Sequence, residues 1–252
     1  MGQVTAVRIG RQLSIFGVEA SEPSPADLSG LLAGPGQIVR MGGTARVSVV
    51  VDAAWRVHVL VAEFAARGLA ASWVTTADSH LGVRTAYAST LAPLGSAWLR
   101  GAVKRPPPGF HLDGARLRLW AAAAGTPTPL GYLLRLGTAD EDCWEAVGAA
   151  LASIGLPAVL VGPRAGERRA VPPTEPEPTG PEPTGPAGAE PGERVEPAAD
   201  PAAGSGPTAV PTGEPSRISG PAYRITGRRR LARLAELVGD CPPAAPAGVW
   251  PA

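Results

Sequence analysis

Arginine is the residue type in this chain best placed to do chemistry, and what a guanidinium does is hold anions. Of the 23 basic residues one, Lys104, is lysine; the others carry planar forks that suit phosphates and guanine edges. The nucleophile and metal repertoire is thin by comparison. His58, His80 and His111 fall on a helix, a turn and a linker with no HxxxH, HxxE or Cys pair beside them, so their spacing offers no metal site. Cys143 and Cys241 fit no metal spacing and are too few for a disulfide framework. Ser29, Ser48 and Ser79 lack the elbow that exposes a nucleophile. GPRAGE follows a predicted strand but opens no helix, and no dinucleotide fingerprint occurs. The residues therefore predict a protein with no enzymatic chemistry, no metal and no cofactor.

Charge sharpens that reading once it is divided along the chain. The formal net charge is +1, but residues 170–216, made mostly of Pro, Gly, Ala, Thr and Glu, carry eight acids against Arg194 alone. That block holds −7, which leaves +8 on the remainder. With no aromatic residue and almost no aliphatic one, the block cannot bury enough apolar surface to offset its chain entropy, so it is expected to be disordered. A GC-rich coding sequence accounts for arginine over lysine; the positive sign points to an anionic partner. MGQVTAVRIG lacks a signal-peptide core and no run approaches the ~18 apolar residues of a membrane span. A cytoplasmic monomer without membrane contact is the expectation.

The elements that must position these arginines can be read in order. After a strand-like opening at 6–16, Asp27 introduces a helix that Pro35-Gly36 stops. Strands 37–41 and 44–51 follow, joined by Gly42-Gly43. Asp52 then caps a helix whose Val57, Leu60, Val61 and Phe64 share one face, ending at Gly68. A second hairpin, 71–76 and 81–87, turns at 77–80, and a helix over 91–101 closes the set. KRPPPG leads into a second, incomplete set: an Asp113-capped helix ending at Gly125, a strand over 131–137, a helix over 140–154, and AVLVG matching ASWVT. Opening segments Leu28–Gly36 and Leu117–Gly125 are 89 residues apart, and the helix ends Gly68 and Gly155 are 87 apart. LAPL and LARL are 140 apart, so the acidic block is an insertion, spanning 165–220 with its flanks, in a hairpin turn of the second copy. Closure entropy grows as the logarithm of length, so such an insertion costs roughly 2 kcal/mol.

The two opening segments, LSGLLAGPG and LRLWAAAAG, resemble the motif helices of the LAGLIDADG family, with leucine at position one, a large apolar residue at position four (Leu31, Trp120) and glycine at position nine. The resemblance covers residues 24–240 outside the insertion. It implies an α+β fold of two pseudo-symmetric αββαββα repeats, 1–101 and 102–240, followed by a flexible tail at 241–252. Gly30, Ala33 and Gly34 would face Ala121, Ala122 and Ala123 where the motif helices cross. In the family's nucleases, position eight is a carboxylate that holds Mg²⁺; here it is Pro35 and Ala124, so the resemblance is to a member that no longer cleaves. GYLLRLG, SIGLPAVLV and AYRITGRRRLARLAELVG are similar to the N-terminal domain of the actinobacterial WhiA sporulation regulators, a degenerate LAGLIDADG family. That implies a role in transcription, although the helix-turn-helix that follows in WhiA has no counterpart in this sequence.

In the family, the sheet faces turned away from the helices meet double-stranded DNA. With Val47, Val49, Leu133 and Ile225 facing the helices, alternation puts Arg46, Ser48, Arg224 and Thr226 on that face, and Arg40 and Arg84 are expected there too. Arg135 shares its side with Leu133 in this register. Arg228, Arg229 and Arg230 would add phosphate contacts at the start of the last helix. Two alternatives stand beside DNA binding: a protein-interaction module that docks a partner on the sheet face, with the acidic insertion as a tether, and an active homing-type endonuclease, which would need acids absent from the motif positions.

Overall fold

The computed structural model describes residue 17 and residues 22–162 and 220–251. The expected strand at 6–16 and nearly all of the insertion lie outside the described residues.

The first repeat opens with a reciprocal cap. Ser24 Oγ accepts from Ala26 N at 3.3 Å while the Asp27 carboxylate accepts from Ser24 N at 2.9 Å, so two orphan donors are satisfied together. A 3-10 turn, Pro25–Leu28, runs from this cap into helix α1 (Ser29–Ala33). Strands β1 (Gln37–Met41) and β2 (Thr44–Val51) form the first hairpin, closed by Gly42 at a φ of 57°. Helix α2 (Ala54–Ala66), strands β3 (Ala71–Thr75) and β4 (Leu81–Thr85), and helix α3 (Ala92–Trp98) complete the copy. A small hairpin of β5 (Leu99–Arg100) and β6 (Val103–Lys104) links the repeats. The second copy is α4 (Gly114–Ala124), β7 (Gly125–Thr128), β8 (Gly131–Arg135), α5 (Glu141–Ser153), β9 (Val159–Val161), β10 (Ala222–Ile225) and α6 (Arg228–Val238). Asp113 caps α4 by accepting from Arg116 N at 2.9 Å.

Both copies build a four-stranded antiparallel sheet with one strand order, β1-β2-β4-β3 and β7-β8-β10-β9. The chain is thus an α+β fold of two αββαββα repeats, the arrangement the motif resemblance implies. β7, which closes the second set, has too few apolar residues (GTPT) to show in the sequence pattern. The hairpin closures Met41–Thr44 and Thr128–Gly131 are 87 residues apart. The 89-residue offset of the motifs exceeds this by two because the stretch from motif leucine to hairpin turn, Leu28 to Met41 in the first copy and Leu117 to Thr128 in the second, is two residues shorter where α4 passes straight into β7.

α1 and α4 cross at the centre. A Cβ on Gly30 would collide with the backbone carbonyl of Arg116, and one on Gly34 with the Trp120 indole, so glycine is required at both positions for the helices to approach. Leu117 and Leu119 through Ala124 are buried on every side of α4, which makes it the core helix of both repeats. Leu28, Leu31, Leu32, Trp98, Leu134 and Ile225 belong to the same buried cluster as α4. The expected tail also belongs to this core: Trp250 is 6% exposed, its indole donates to Gly239 O at 3.0 Å, and Arg118 stacks on its ring. Pro and Gly around a single tryptophan gave that segment the look of a trailing end. No helix among the described residues is long and apolar enough to cross a membrane.

Candidate nucleic-acid interface

Register decides which arginines face away from the helices, because paired residues on neighbouring antiparallel strands point to the same side. In the first sheet Val47, Val49 and Val83 are buried toward the helices. Their neighbours Arg46, Ser48 and Arg84 therefore take the opposite face, Ser48 pairing with Arg84. Arg40 does not join them. It pairs with Ala45 on the helix side, and its stem packs on Gly95 of α3; the two-residue alternation from Ile38 carries it there. In the second sheet Tyr132 and Leu134 are buried, so Leu133 turns outward, paired with Arg224. The expectation that Leu133 faces the helices fails by one residue, since three leucines in GYLLRLG leave the register ambiguous. Arg135 accordingly lies on the outer face. Thr226 follows β10, half-buried, with Cγ2 beside Gly131. Arg228, Arg229 and Arg230 open α6, exposed, at the start of the last helix as expected.

Four arginines thus share the outer faces, each in a different setting. The Arg46 guanidinium lies 4.8 Å over the Tyr87 ring. Arg84 Nε donates to Ser72 Oγ at 3.2 Å. Arg135 Nη1 pairs with Asp52 at 2.8 Å. Arg224 is half-buried between Leu133 and Val159. A cleft of about 720 Å³ opens between the first sheet's outer face and residues 136–140, with Gln37, Arg46, Ser48 and Arg84 among its lining.

The ends of the motif helices hold a second pair of sites that spacing alone did not reveal. Pro35 is half-buried and Ala124 fully buried, and neither side chain carries a ligand oxygen. Beside each helix end sits a fixed cation. Lys104, delivered by the linking hairpin, bonds Gly34 O at 3.1 Å, Gly36 O at 2.7 Å and the Asp140 carboxylate at 2.7 Å. Arg56 bonds Ala122 O at 2.9 Å, Gly125 O at 2.6 Å and the Asp52 carboxylate at 2.8 Å. Each cation meets carbonyls left orphaned at a helix C-terminus, where positive charge is favoured. Asp52 and Asp140 stand 88 residues apart, each just ahead of the second helix of its repeat. Their matching offset was the available signal.

Both acids were expected to act otherwise or not singled out. Asp52 makes no cap for α2, whose N-cap is Ala53; its oxygens are taken by Arg56 and Arg135. Burial alone would raise the Asp52 pKa, but Arg135 and Arg56 together hold it below the usual carboxylate value. Burial lowers the Lys104 pKa against the opposing pull of Asp140, and it likewise lowers that of Arg56 against Asp52. Asp140 also accepts from Gln37 Nε2 at 3.0 Å. Asp27, besides closing the Ser24 cap, pairs with buried Arg67 at 3.0 Å. Cys143 is buried, which pushes its thiol up to about 11. Among the described residues no group of three or more His, Cys, Asp or Glu gathers as metal ligands would.

No protein-family model matches the chain, and no curated protein matches it in sequence. Among solved structures it is similar to the homing endonuclease I-WcaI bound to its DNA recognition sequence, at 12% identity and a TM-score of 0.42, over 60% of this chain and 76% of that one. A likeness so distant carries nothing about activity.

Proposed function

We propose that the protein binds duplex DNA without cleaving it, in the manner of a degenerate LAGLIDADG regulator such as WhiA. The observation that carries the reading is the division of cations between two places. Arg46, Arg84 and Arg224 lie on sheet faces turned away from the core, where guanidinium forks can meet phosphates and base edges. Lys104 and Arg56 occupy the helix ends, where they neutralise the two nearby carboxylates. Arg228, Arg229 and Arg230 add support: three cations at the positive end of α6, with no acid in its first turn, repel the helix dipole until an anion joins them.

The test is anisotropy of a labelled duplex titrated with the purified chain across a range of salt. If about five phosphates are neutralised, log affinity falls against log salt with a slope of roughly −4 to −5. Arg46→Ala with Arg224→Ala flattens the slope by about two units, and added Mg²⁺ produces no cleavage. A salt-insensitive or absent interaction refutes the reading.

A second reading has its own observation. Val39, Met41, Val50 and Val74 are 45–59% exposed and all belong to the outer face of the first sheet, a surface that also suits a protein partner. Binding of a partner by this face would persist at salt concentrations that release DNA.

A further inference from the structure

The two outer faces are built alike but furnished differently. Across the first sheet Gln37, Ser48, Arg84 and Ser72 stand in one row on four neighbouring strands, linked by the pairs Gln37–Ser48, Ser48–Arg84 and Ser72–Arg84. In the second sheet the hairpin offset makes Arg135 the equivalent of Ser48, and the pairing of Arg135 with Ala222 and of Ala222 with Val161 extends the row. Ala222 therefore stands where Arg84 does, and Val161 where Ser72 does. The second row has one polar member, and that one is spent in the ion pair with Asp52.

Resting on the DNA-binding reading, we propose that sequence is read by the first repeat alone: Arg84 recognises a guanine, Ser72 positions it, and the second repeat supplies phosphate contacts only. Three strand spacings of ~4.8 Å make the row roughly 14 Å wide, close to the ~12 Å of a major groove. Ser48 and Arg84, on the inner strands, then fall over the base edges. The Ser72 hydroxyl takes the Nε proton of Arg84, which fixes the guanidinium plane and leaves its two Nη groups to bond the O6 and N7 of guanine together. The other outward arginines are not held this way. Arg46 lies on an aromatic ring, and the Nε atoms of Arg46 and Arg224 are buried without a hydrogen-bond partner. Beside the polar row, Val50, Gly82 and Val74 form a strip with no polar side chain. It suits the methyl group of a neighbouring thymine.

The experiment begins with the full chain and a randomised duplex library, from which bound sequences are selected. Affinities for the selected and a scrambled duplex are then measured for the wild type, Arg84→Ala, Arg84→Lys, Ser72→Ala and Arg224→Ala, each checked for an unchanged melting temperature. Loss of a bidentate guanine contact should cut the selected-to-scrambled ratio about 10- to 100-fold in Arg84→Ala, with little recovery in Arg84→Lys, which lacks the fork. Ser72→Ala should reduce the ratio by a smaller factor, while Arg224→Ala weakens both duplexes equally. Replacing the thymine next to the selected guanine by deoxyuridine should cost about fourfold, the worth of one buried methyl. If Arg84→Ala binds DNA with its ratio intact, or Arg224→Ala abolishes the ratio, the inference is overturned and DNA binding stands. An unchanged affinity for the deoxyuridine duplex overturns the role of the strip. Absence of binding to any duplex overturns both the inference and the reading beneath it.

Discussion

The single lysine of an arginine-rich chain sits 5% exposed at the end of α1, and replacing Lys104 by methionine tests whether it is a fixed internal cation. The methylene stem would be kept and the ammonium lost. Two carbonyls, Gly34 O and Gly36 O, would then lose a donor, and Asp140, whose side chain is 9% exposed, would lose its counter-charge. Breaking a buried pair by removing one partner costs about 3–5 kcal/mol, because the remaining charge stays desolvated. Gln37 still donates to Asp140, so the expected loss is at the lower end, ~3 kcal/mol. For a folded region of this size that is a fall of roughly 6–12 °C in melting temperature. Lys104→Arg should lose stability as well, since a planar fork cannot place one nitrogen among two carbonyls and a carboxylate as a compact ammonium does. Urea unfolding supplies the measurement, with Asp140→Asn and the double variant completing a cycle. The double variant should be more stable than the sum of the single losses predicts, by at least ~0.5 kcal/mol. A Lys104→Met protein within ~0.5 kcal/mol of wild type, the range of an ordinary surface substitution, would refute the reasoning.

Two further outcomes follow from the crossing and from the second helix end. Gly30→Ala forces a Cβ into the Arg116 carbonyl, a backbone contact that cannot rotate away, so the loss by urea unfolding should reach or exceed ~3 kcal/mol; a change under ~1 kcal/mol would mean the helices do not cross there. The pKa of Asp52 is lower in the folded protein than its unfolded value of 3.8, so its contribution to stability is present above about pH 4 and lost as pH falls through the folded value. Wild type and Asp52→Asn should therefore converge in stability as the pH falls below about 4, and parallel acid-unfolding curves would refute the assignment.

How far the fold was legible follows the kind of signal each element left. β1 and β2 could be read to the residue because alternating valines and a Gly-Gly turn specify a hairpin locally. Strand β7 could not, since GTPT has no apolar period and is held in place by β8 alone. The linking hairpin escaped for the same reason: two residues per strand and Gly101 at a φ of 63° leave no pattern. That miss mattered more than its size suggests, because this hairpin carries Lys104. On the sheet faces, Arg46 and Ser48 followed from alternation along β2 and Arg224 from alternation along β10. The same rule applied from Ile38 along β1 puts Arg40 on the helix side, while three leucines left β8 ambiguous until its pairing with β10 turned Leu133 outward. Register is a tertiary property.

The helix ends show the limit most clearly. Motif comparison finds what is missing from positions 35 and 124, and a missing carboxylate reads as a vacant site. In three dimensions neither site is vacant: residues from outside the motif, Lys104 and Arg56, bring their own cations to the same carbonyls and face Asp140 and Asp52 across them. A helix C-terminus buried at the centre of a fold needs positive charge whether or not any chemistry is done there. A divalent ion held by carboxylates can meet that need, and so can an ammonium or a guanidinium. In this chain Lys104 meets it at the end of α1 and Arg56 at the end of α4.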